Sequence, residues 1–254
     1  MHAPEYRPPE PVSRSSPPCV SVCLPVYNGE TYLAEAIESV LAQSFENFEL
    51  ILADNASKDR TSSICHDFQA RDGRVRYLPA DVNRGLAWNY NRSFGAATGR
   101  YVLWLGHDDK MAPDLLRRCV GALEQDASTV IAFARTQYID EAGVLSGQVG
   151  PERTGDASSA SERLLQILFD DMCHPVLGLM RRATLARTRL HLPYADSDRV
   201  LLVEMGLRGR FELIDEPFMA RRLHYNQTTV IYDDRWERTL IFDPSQQGRI
   251  LCPW

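Results

Sequence analysis

The sequence lacks the long apolar runs that mark membrane-spanning helices. None of its 254 residues lies in an uninterrupted apolar stretch of about 18 residues or more, so no transmembrane helix is predicted. Residues 1–18 are rich in proline and lack the apolar core of a secretory signal peptide, and we expect them to form a disordered leader. We therefore expect a cytoplasmic protein, and peripheral contact with the inner face of a membrane stays open.

An excess of positive charge is also missing. The formal net charge is −6, and such a surface does not attract nucleic acid over a long range, so no nucleic-acid partner is expected. The six cysteines are scattered along the chain, and Cys19 and Cys23 have no second pair at zinc spacing. We interpret them as reduced thiols of a cytosolic protein rather than as a disulfide framework or a zinc site.

The first half of the chain alternates strand-like and helix-like apolar patterns. This alternation over about 115 residues predicts an α/β fold with a mostly parallel, doubly wound sheet. The predicted strands are PCVSVCLPVY, FELILA, VRYLPA, YVLWLG and VIAFAR, and the predicted helices are TYLAEAIESVLAQ, NASKDRTSSICHDFQAR, GLAWNYNRSFGAATG and PDLLRRCVGALEQD.

The second half is less regular. We predict a helix in SERLLQILFDDM with Ser161 as its N-cap, and a second helix in SDRVLLVEMGLRG that ends at Gly209. The segment RFELIDEPFMARRLH is expected to be extended. In the third helix of the first half, Trp88 is expected in the core, and Asn91 is expected to tie the helix to the sheet.

Polar and acidic residues follow each of the first four predicted strands. They lie at 25–30, 54–59, 81–85 and 107–109, and ligands of open α/β sheets bind outside the carboxyl ends of the strands. Neither GxxxxGK[ST] nor GxGxxG occurs, which argues against a phosphate-cradling glycine loop. Acids near a phosphate would repel it unless a divalent cation lay between them. Asp108 and Asp109 follow a buried strand that would fix them, and their carboxylates offer the hard oxygen ligands that magnesium or manganese prefers. The structural alternative is that Asp108 caps the next helix or that both acids are only solvated.

Three segments in this order carry a resemblance to family 2 glycosyltransferases with the GT-A fold: VSVCLPVYNGETYLAEAIESVLAQSF, FELILADNASKDRT and NRGLAWNYNRSFGAATGRYVLWLGHDD. The resemblance implies a Rossmann-like, mostly parallel sheet flanked by helices, with a smaller C-terminal acceptor-binding part. Residues 19–135 would form the nucleotide-sugar-binding half and residues 136–254 the acceptor-binding half of the same domain.

The resemblance further implies an inverting transfer of a sugar from a UDP-, GDP- or dTDP-sugar to an acceptor hydroxyl, with Mn²⁺ or Mg²⁺ as cofactor. The acceptor would be a saccharide, a lipid-linked molecule or a small molecule. In bacteria such enzymes serve polysaccharide, glycolipid or natural-product glycosylation. The sequence does not choose among these, and a homodimer stays open.

The family motifs assign roles to individual residues of this chain. The donor-binding set implied by the resemblance is Pro25, Tyr27 and Glu30 at the base and ribose, Asp54 and Asn55 at the base, Arg84 and Gly85 near the diphosphate or sugar, Asp108 at the ribose, and Arg222 at the phosphates. The metal would be held by Asp109, with Asp108 and His224 as further ligands. The family usually has an acid where Gly106 stands, and His107 is a ligand or a spacer.

An inverting transfer needs a base that takes the proton of the acceptor hydroxyl. By resemblance this base is Asp198, with Asp196 as the substitute, and the other of the two caps the following helix. His174 and Glu204 are further candidates on the acceptor side. Two other functions stay open: a nucleotidyltransferase, although its glycine-rich first loop is replaced here by PVYNGE, and a non-catalytic nucleotide-sugar-binding module on the same fold.

Overall fold

The structure is a computed structural model that describes residues 17–149, 155–169, 173–225, 241–242 and 244. The predicted leader therefore lies outside the described residues except for its last two positions. Among the helices that are described, none combines the length and the apolar character needed to cross a bilayer.

Nine strands and seven helices are described, together with a 3₁₀ turn at His174–Leu177. The strands are β1 (Val20–Val26), β2 (Phe48–Asp54), β3 (Val75–Pro79), β4 (Tyr101–Trp104), β5 (Lys110–Met111), β6 (Thr129–Ile139), β7 (Leu145–Val149), β8 (Leu179–Arg181) and β9 (Arg210–Arg222). The helices are α1 (Leu33–Leu41), α2 (Thr61–Arg71), α3 (Leu86–Ala96), α4 (Leu115–Gln125), α5 (Ala160–Leu168), α6 (Arg182–Leu185) and α7 (Ser197–Gly206).

The first half forms a parallel sheet in the order β3-β2-β1-β4. All residues of β1, β2 and β4 are buried, as expected for parallel strands that are covered by helices on both faces. Because these strands are parallel, their carboxyl ends meet at one edge of the sheet. This edge carries the loops in which the sequence places its acidic and polar residues.

The second half extends the same sheet through β8, β6, β9 and β5, with β7 paired to β6. β6 and β9 form a long parallel ladder, whereas each antiparallel ladder pairs only two residues of each strand. The mostly parallel sheet expected from the sequence is confirmed. The predicted fifth strand is the start of β6, which does not lie beside β4 because β8 is inserted between them.

Two apolar layers cover the two faces of the sheet. Alternate residues of β4 divide between them: Leu103 packs in the layer that contains α1, α2 and α4, and Val102 and Trp104 pack in the layer that contains α3 and α7. This division follows from the period of two residues along a strand. The two layers fix the sheet edge rigidly, so the loops that follow the strands are held in place.

The helix ends differ in detail from the sequence prediction. Ser159, and not Ser161, caps α5, because its hydroxyl accepts a hydrogen bond from the backbone N–H of Glu162 at 3.2 Å. Helix α7 ends at Gly206 rather than at Gly209. The end of α7 thus lies three residues before the predicted one, because helix ends are the part of an element that the sequence pattern defines least well.

Candidate active site

A cleft of about 500 Å³ opens at the carboxyl ends of β1 and β4. It is bounded by the loops after these strands, the start of α3, the 3₁₀ turn, the segment that enters α7 and the end of β9. Eight of the residues predicted to bind the donor, hold the metal or act as the base line it: Pro25, Tyr27, Asn55, Asp108, Asp109, Asp196, Asp198 and His224. The cleft therefore collects most of the predicted site from loops that are far apart in sequence.

Hydrogen bonds join the loop after β1 to the loop after β2. The side-chain oxygen of Asn28 accepts from the backbone N–H of Lys58 at 2.9 Å, and Gly29 N–H donates to the Thr61 hydroxyl at 2.9 Å. The Glu30 carboxylate accepts from the backbone N–H of Arg60 at 2.9 Å. Glu30 does not line the cleft in the described structure, so its role here is to fix the two loops rather than to face the ribose.

Asn55 and Asp54 occupy different environments. Asn55 lines the cleft and donates to the backbone oxygen of Gly85 at 3.0 Å, which couples the loops after β2 and β3. Asp54 is 3% exposed, and its carboxylate accepts from Ser57 N–H and from the Tyr77 hydroxyl, each at 2.9 Å. Asp54 is absent from the described cleft lining, so this structure places it as a support of the loop.

The start of α3 depends on Gly85. Its φ is +89°, which favours glycine, and a Cβ there would lie 2.4 Å from the backbone oxygen of Phe242. Arg84 is exposed, and its guanidinium lies 5.0 Å from the ring centroid of Trp88. Neither Gly85 nor Arg84 lines the described cleft, so both shape its rim.

Two sequence expectations for α3 differ from the structure. Trp88 is only partly buried, with the guanidinium groups of Arg84 and Arg92 5.0 and 4.7 Å from its ring centroid, whereas Trp104 of β4 is 1% exposed in the core. Asn89, rather than Asn91, ties α3 to the sheet, since its amide donates to the backbone oxygen of Ala53 at 2.7 Å. Asn91 instead exchanges two hydrogen bonds with the backbone of His191, at 2.8 and 3.1 Å.

Asp108 and Asp109 lie together in the loop after β4. A Cβ at Gly106 would be 2.8 Å from an oxygen of each carboxylate, so both carboxylates approach this glycine. Burial and the charge of Asp108 raise the pKa of Asp109 to about 7. Burial opposes ionisation of Asp108 too, but the hydrogen bond with His224 and the charge of His107 outweigh it and lower its pKa. The N-cap of α4 is Asp114, so Asp108 does not cap that helix.

This pair has the chemistry of a divalent-cation site. Two buried carboxylates repel each other, and a cation relieves that repulsion while it takes hard oxygen ligands. Within the described residues, no group of three or more His, Cys, Asp or Glu could hold a metal by itself. A cation held by this pair would have to take further ligands from water or from phosphate.

Arg222 does not face the cleft. Its side chain is fully buried, and its nitrogens donate to the backbone oxygens of Asp108, Asp140 and Glu141 and to the Glu35 carboxylate. The position expected for phosphate contact is thus used to hold helix α1 and the loops after β4 and β6 together. The neighbouring Arg221 lines the cleft instead, because successive residues of β9 point to opposite sides.

The acidic pair at the entry to α7, Asp196 and Asp198, lines the same cleft. Asp196 is in the left-handed region with φ +64° and makes no side-chain cap, and Asp198 lies in the first turn of α7, where it accepts from Arg199 N–H at 2.9 Å. Burial, together with the charge of Asp196, raises the pKa of Asp198. A buried carboxylate with a raised pKa is suited to accept a proton.

The two further acceptor-side candidates differ in placement. His174 lines the cleft, is 2% exposed, and lies 3.2 Å from the Tyr138 hydroxyl. Glu204 pairs with Arg189, whose backbone N–H donates to it at 2.8 Å, and does not line the described cleft.

Several residues of the cleft have no role in the sequence prediction. Tyr90, Trp104 and His191 line it. Tyr90 follows Leu86 by four residues on one face of α3, and Leu86 also lines the cleft, so helical spacing from the start of α3 was a usable signal. His191 has no such signal, because its place depends on the link to Asn91, 100 residues earlier.

Comparison with known proteins is consistent with this geometry. The family model of Glycosyl transferase family 2 matches residues 21–184. The chain is 34% identical over 175 residues to the glycosyltransferase EpsE of Bacillus subtilis (strain 168), with 68% of this chain and 60% of EpsE aligned. It is 27% identical over 237 residues to an uncharacterized glycosyltransferase of Haemophilus influenzae, with 87% of this chain and 71% of the relative covered. The chain thus spans about three fifths of the length of EpsE.

Solved structures confirm the fold. TarS of S. aureus, solved in complex with UDP-GlcNAc, matches with a TM-score of 0.66 at 18% identity, covering 82% of this chain and 59% of that chain. The mannosyltransferase PcManGT of Pyrobaculum calidifontis, solved with GDP-Man and Mn2+, matches with a TM-score of 0.64 at 15% identity, covering 94% of this chain and 67% of that chain. The fold is GT-A, as the resemblance implied. On the match of the family model over residues 21–184, this chain belongs to glycosyl transferase family 2.

Proposed function

We propose that this chain transfers a sugar from a nucleoside diphosphate donor to an acceptor hydroxyl, with inversion at the anomeric carbon. The observation that supports the proposal is that Asp108 and Asp109, from the loop after β4, and Asp198, from the first turn of α7, line one cleft. An inverting displacement needs these two functions on opposite faces of the sugar: stabilisation of the leaving group and a base for the attacking group.

The nucleoside end of the donor would lie against Pro25, Tyr27 and Asn55. Tyr27 is 40% exposed, which leaves its ring free to contact a base or ribose. Asn55 is fixed by its bonds to the loops after β1 and β3, so its position in the cleft is rigid. Glu30, Asp54, Arg84 and Gly85 would act through these loops, since they hold the rim in shape.

The diphosphate would lie between this end and the loop after β4. Asp109 and Asp108 would hold a divalent cation, Mn²⁺ or Mg²⁺, and His224 would orient Asp108 through its 3.0 Å contact. The cation would supply Lewis-acid stabilisation of the negative charge on the leaving diphosphate. Arg221, which lines the cleft where Arg222 does not, would add a positive charge to the phosphates.

The reaction is a single displacement. The bond from the anomeric carbon to the diphosphate oxygen breaks, and its electron pair leaves with the nucleoside diphosphate. The acceptor oxygen forms the new bond to the anomeric carbon from the opposite face, and its proton passes to Asp198. Asp196 raises the proton affinity of Asp198 through its charge, so we assign the base to Asp198 and a supporting role to Asp196.

The other two functions are less well supported. The family match argues against a nucleotidyltransferase. A non-catalytic nucleotide-sugar-binding module does not need an acid with a raised pKa in the same cleft as the carboxylate pair.

Titration calorimetry with UDP, GDP and dTDP, each with and without Mn²⁺, tests the donor site. We expect at least one of them to bind the wild type more tightly when Mn²⁺ is present, and we expect Asp109→Asn to abolish that gain. Hydrolysis of UDP-GlcNAc, UDP-glucose and GDP-mannose is then measured to detect transfer to water. The cation assignment is overturned if Mn²⁺ does not change the affinity for any of the three nucleotides. It is also overturned if Asp109→Asn keeps the Mn²⁺-dependent gain in affinity.

A further inference from the structure

Tyr90 lines the cleft and contacts the rings of two residues, each in a segment that leads to acidic residues of the cleft. Its ring centroid is 5.9 Å from that of Trp104, the last residue of β4, the strand that leads to Asp108 and Asp109. On its other side, its ring centroid is 4.8 Å from that of His191, in the segment that leads to Asp196 and α7. Tyr90 thus packs against both the strand that leads to the carboxylate pair and the segment that leads to α7.

The hydroxyl of Tyr90 is available to a ligand. Tyr90 lines the cleft, is only partly buried, and donates or accepts no side-chain hydrogen bond among the residues that the structure describes. The charges of Asp108, Asp109 and Asp198, together with burial, raise the pKa of this hydroxyl. It therefore remains a neutral phenol, which can donate a hydrogen bond and accept one.

His191 is a second unpartnered polar group at the same place. It lines the cleft and is 6% exposed, and neither ring nitrogen has a hydrogen-bond partner in the described part of the chain. Leaving such a buried group without a hydrogen bond is unfavourable. Its neighbours are the rings of Tyr90 and Trp104, a setting in which phenylalanine would incur no such cost.

The chemistry of an inverting transfer says what lies at this position. The anomeric carbon must sit between the leaving diphosphate and the attacking hydroxyl, so the transferred sugar lies between the carboxylate pair and Asp198. We propose that Tyr90 and His191 recognise the hydroxyl groups of the sugar that is transferred and so determine donor selectivity. This inference rests on the proposed function, because it takes the two sides of the cleft as the diphosphate side and the base side.

The test uses two variants that keep ring shape, Tyr90→Phe and His191→Phe. Calorimetry with Mn²⁺ measures the affinity for the nucleoside diphosphate alone, and a hydrolysis assay measures kcat/KM for UDP-GlcNAc, UDP-glucose and GDP-mannose. We expect nucleotide affinity to change less than about twofold. We expect kcat/KM on the preferred donor to fall about 3- to 10-fold, the effect of one neutral hydrogen bond. The ratio between donors should change too.

Tyr101→Phe is the matched control. Its hydroxyl donates to Glu124 at 2.8 Å, and it does not line the described cleft. We expect Tyr101→Phe to keep kcat/KM for every donor, and the nucleotide affinity, within about twofold of the wild-type values. Thermal unfolding of all three variants confirms that each is folded.

The outcomes separate this inference from the proposed function. If the wild type neither binds a nucleoside diphosphate nor turns over any donor, the proposed function fails. If the wild type is active but Tyr90→Phe and His191→Phe both keep its kcat/KM and its donor preference, the sugar-recognition role alone is overturned. A merely structural role would alter unfolding without altering the ratio between donors.

Discussion

The imidazole Nε2 of His224 lies 3.0 Å from a carboxylate oxygen of Asp108, although the two residues are 116 positions apart in sequence. Their side chains are 8% and 14% exposed. This contact joins the segment after β9 to the loop after β4, next to the hydrogen bond from Arg222 N–H to Asp109 at 3.0 Å. The end of β9 therefore fixes both carboxylates of the pair.

His224→Gln should weaken cation-dependent nucleotide binding. The variant removes the ring that orients Asp108, and loss of such an orienting partner typically costs about 10- to 100-fold in metal affinity. Calorimetry with the nucleoside diphosphate in the presence and absence of Mn²⁺ measures the change. His66→Gln is the control, because His66 is exposed and its ring contacts Tyr77 outside the described cleft lining. Equal Mn²⁺ dependence in both variants would contradict the orienting role.

Arg221 and Arg222 form a natural matched pair. Arg222→Gln should lower the free energy of unfolding by about 3 kcal/mol, because it leaves several buried oxygens without their donor. Arg221→Gln should change that free energy by no more than about 0.5 kcal/mol and should weaken nucleotide binding. Urea unfolding and calorimetry on both variants check the two effects. The reverse pattern would show that Arg222 contacts phosphate.

Gly106→Ala should disturb the carboxylate pair. The added Cβ would lie 2.8 Å from an oxygen of Asp108 and 2.8 Å from an oxygen of Asp109, so both must shift. We expect the Mn²⁺-dependent gain in nucleotide affinity to fall about tenfold, measured by calorimetry. Gly121→Ala is the control, because its new Cβ meets nothing within 4 Å. It should raise the free energy of unfolding by up to about 1 kcal/mol, because alanine favours the helix α4 more than glycine does. If Gly106→Ala keeps the full Mn²⁺-dependent gain in nucleotide affinity, the carboxylates of Asp108 and Asp109 are not held as described.

Much of the fold was predictable because local pattern and topology agree. The buried runs of β1, β2 and β4 and the helical spacing of α1 and α4 place the sheet edge, and the edge places Asp108 and Asp109. The antiparallel insertion of β8 between β4 and β6 was not predictable, because β8 has only three residues and pairs two of them with each neighbour.

The parts of the site that were missed depend on long-range contacts. The sequence does not say which of two adjacent arginines at the end of β9 turns inward, and the register against β6 decides that Arg222 does. In the same way, the pattern near Asp54 and Glu30 matches a family motif, yet hydrogen bonds within their loops take up these side chains. Motifs place residues at an edge of the sheet, but packing decides which side chains face the cleft.

Asp198→Asn should separate catalysis from binding. The variant keeps the shape of the side chain but cannot take a proton, so kcat for sugar transfer should fall about 10²- to 10⁴-fold. The affinity for the nucleoside diphosphate should change less than about twofold, because Asp198 lies across the cleft from the phosphates in the proposed arrangement. Asp196→Asn should lose less than about tenfold in kcat, since it acts only through its charge on Asp198. If Asp196→Asn is the more damaging change, the base is Asp196.

Stability should fall on mild acidification because of His191. Burial lowers the pKa of His191 to about 4, against about 6.5 in an unfolded chain, and the neighbouring rings of Tyr90 and Trp104 carry no charge in that range. Below pH 6.5 the unfolded chain binds a proton at His191 that the folded protein excludes. This difference lowers the free energy of unfolding as the pH falls from 6.5 towards 4, and it is absent above pH 6.5. Between pH 6.5 and 5 we expect a relative loss of about 2 kcal/mol. Urea unfolding of the wild type and His191→Phe at both pH values isolates this residue, because the other titrating groups cancel in the difference. A difference between the two proteins that stays constant with pH would show that His191 takes up a proton as readily in the folded protein as in the unfolded chain.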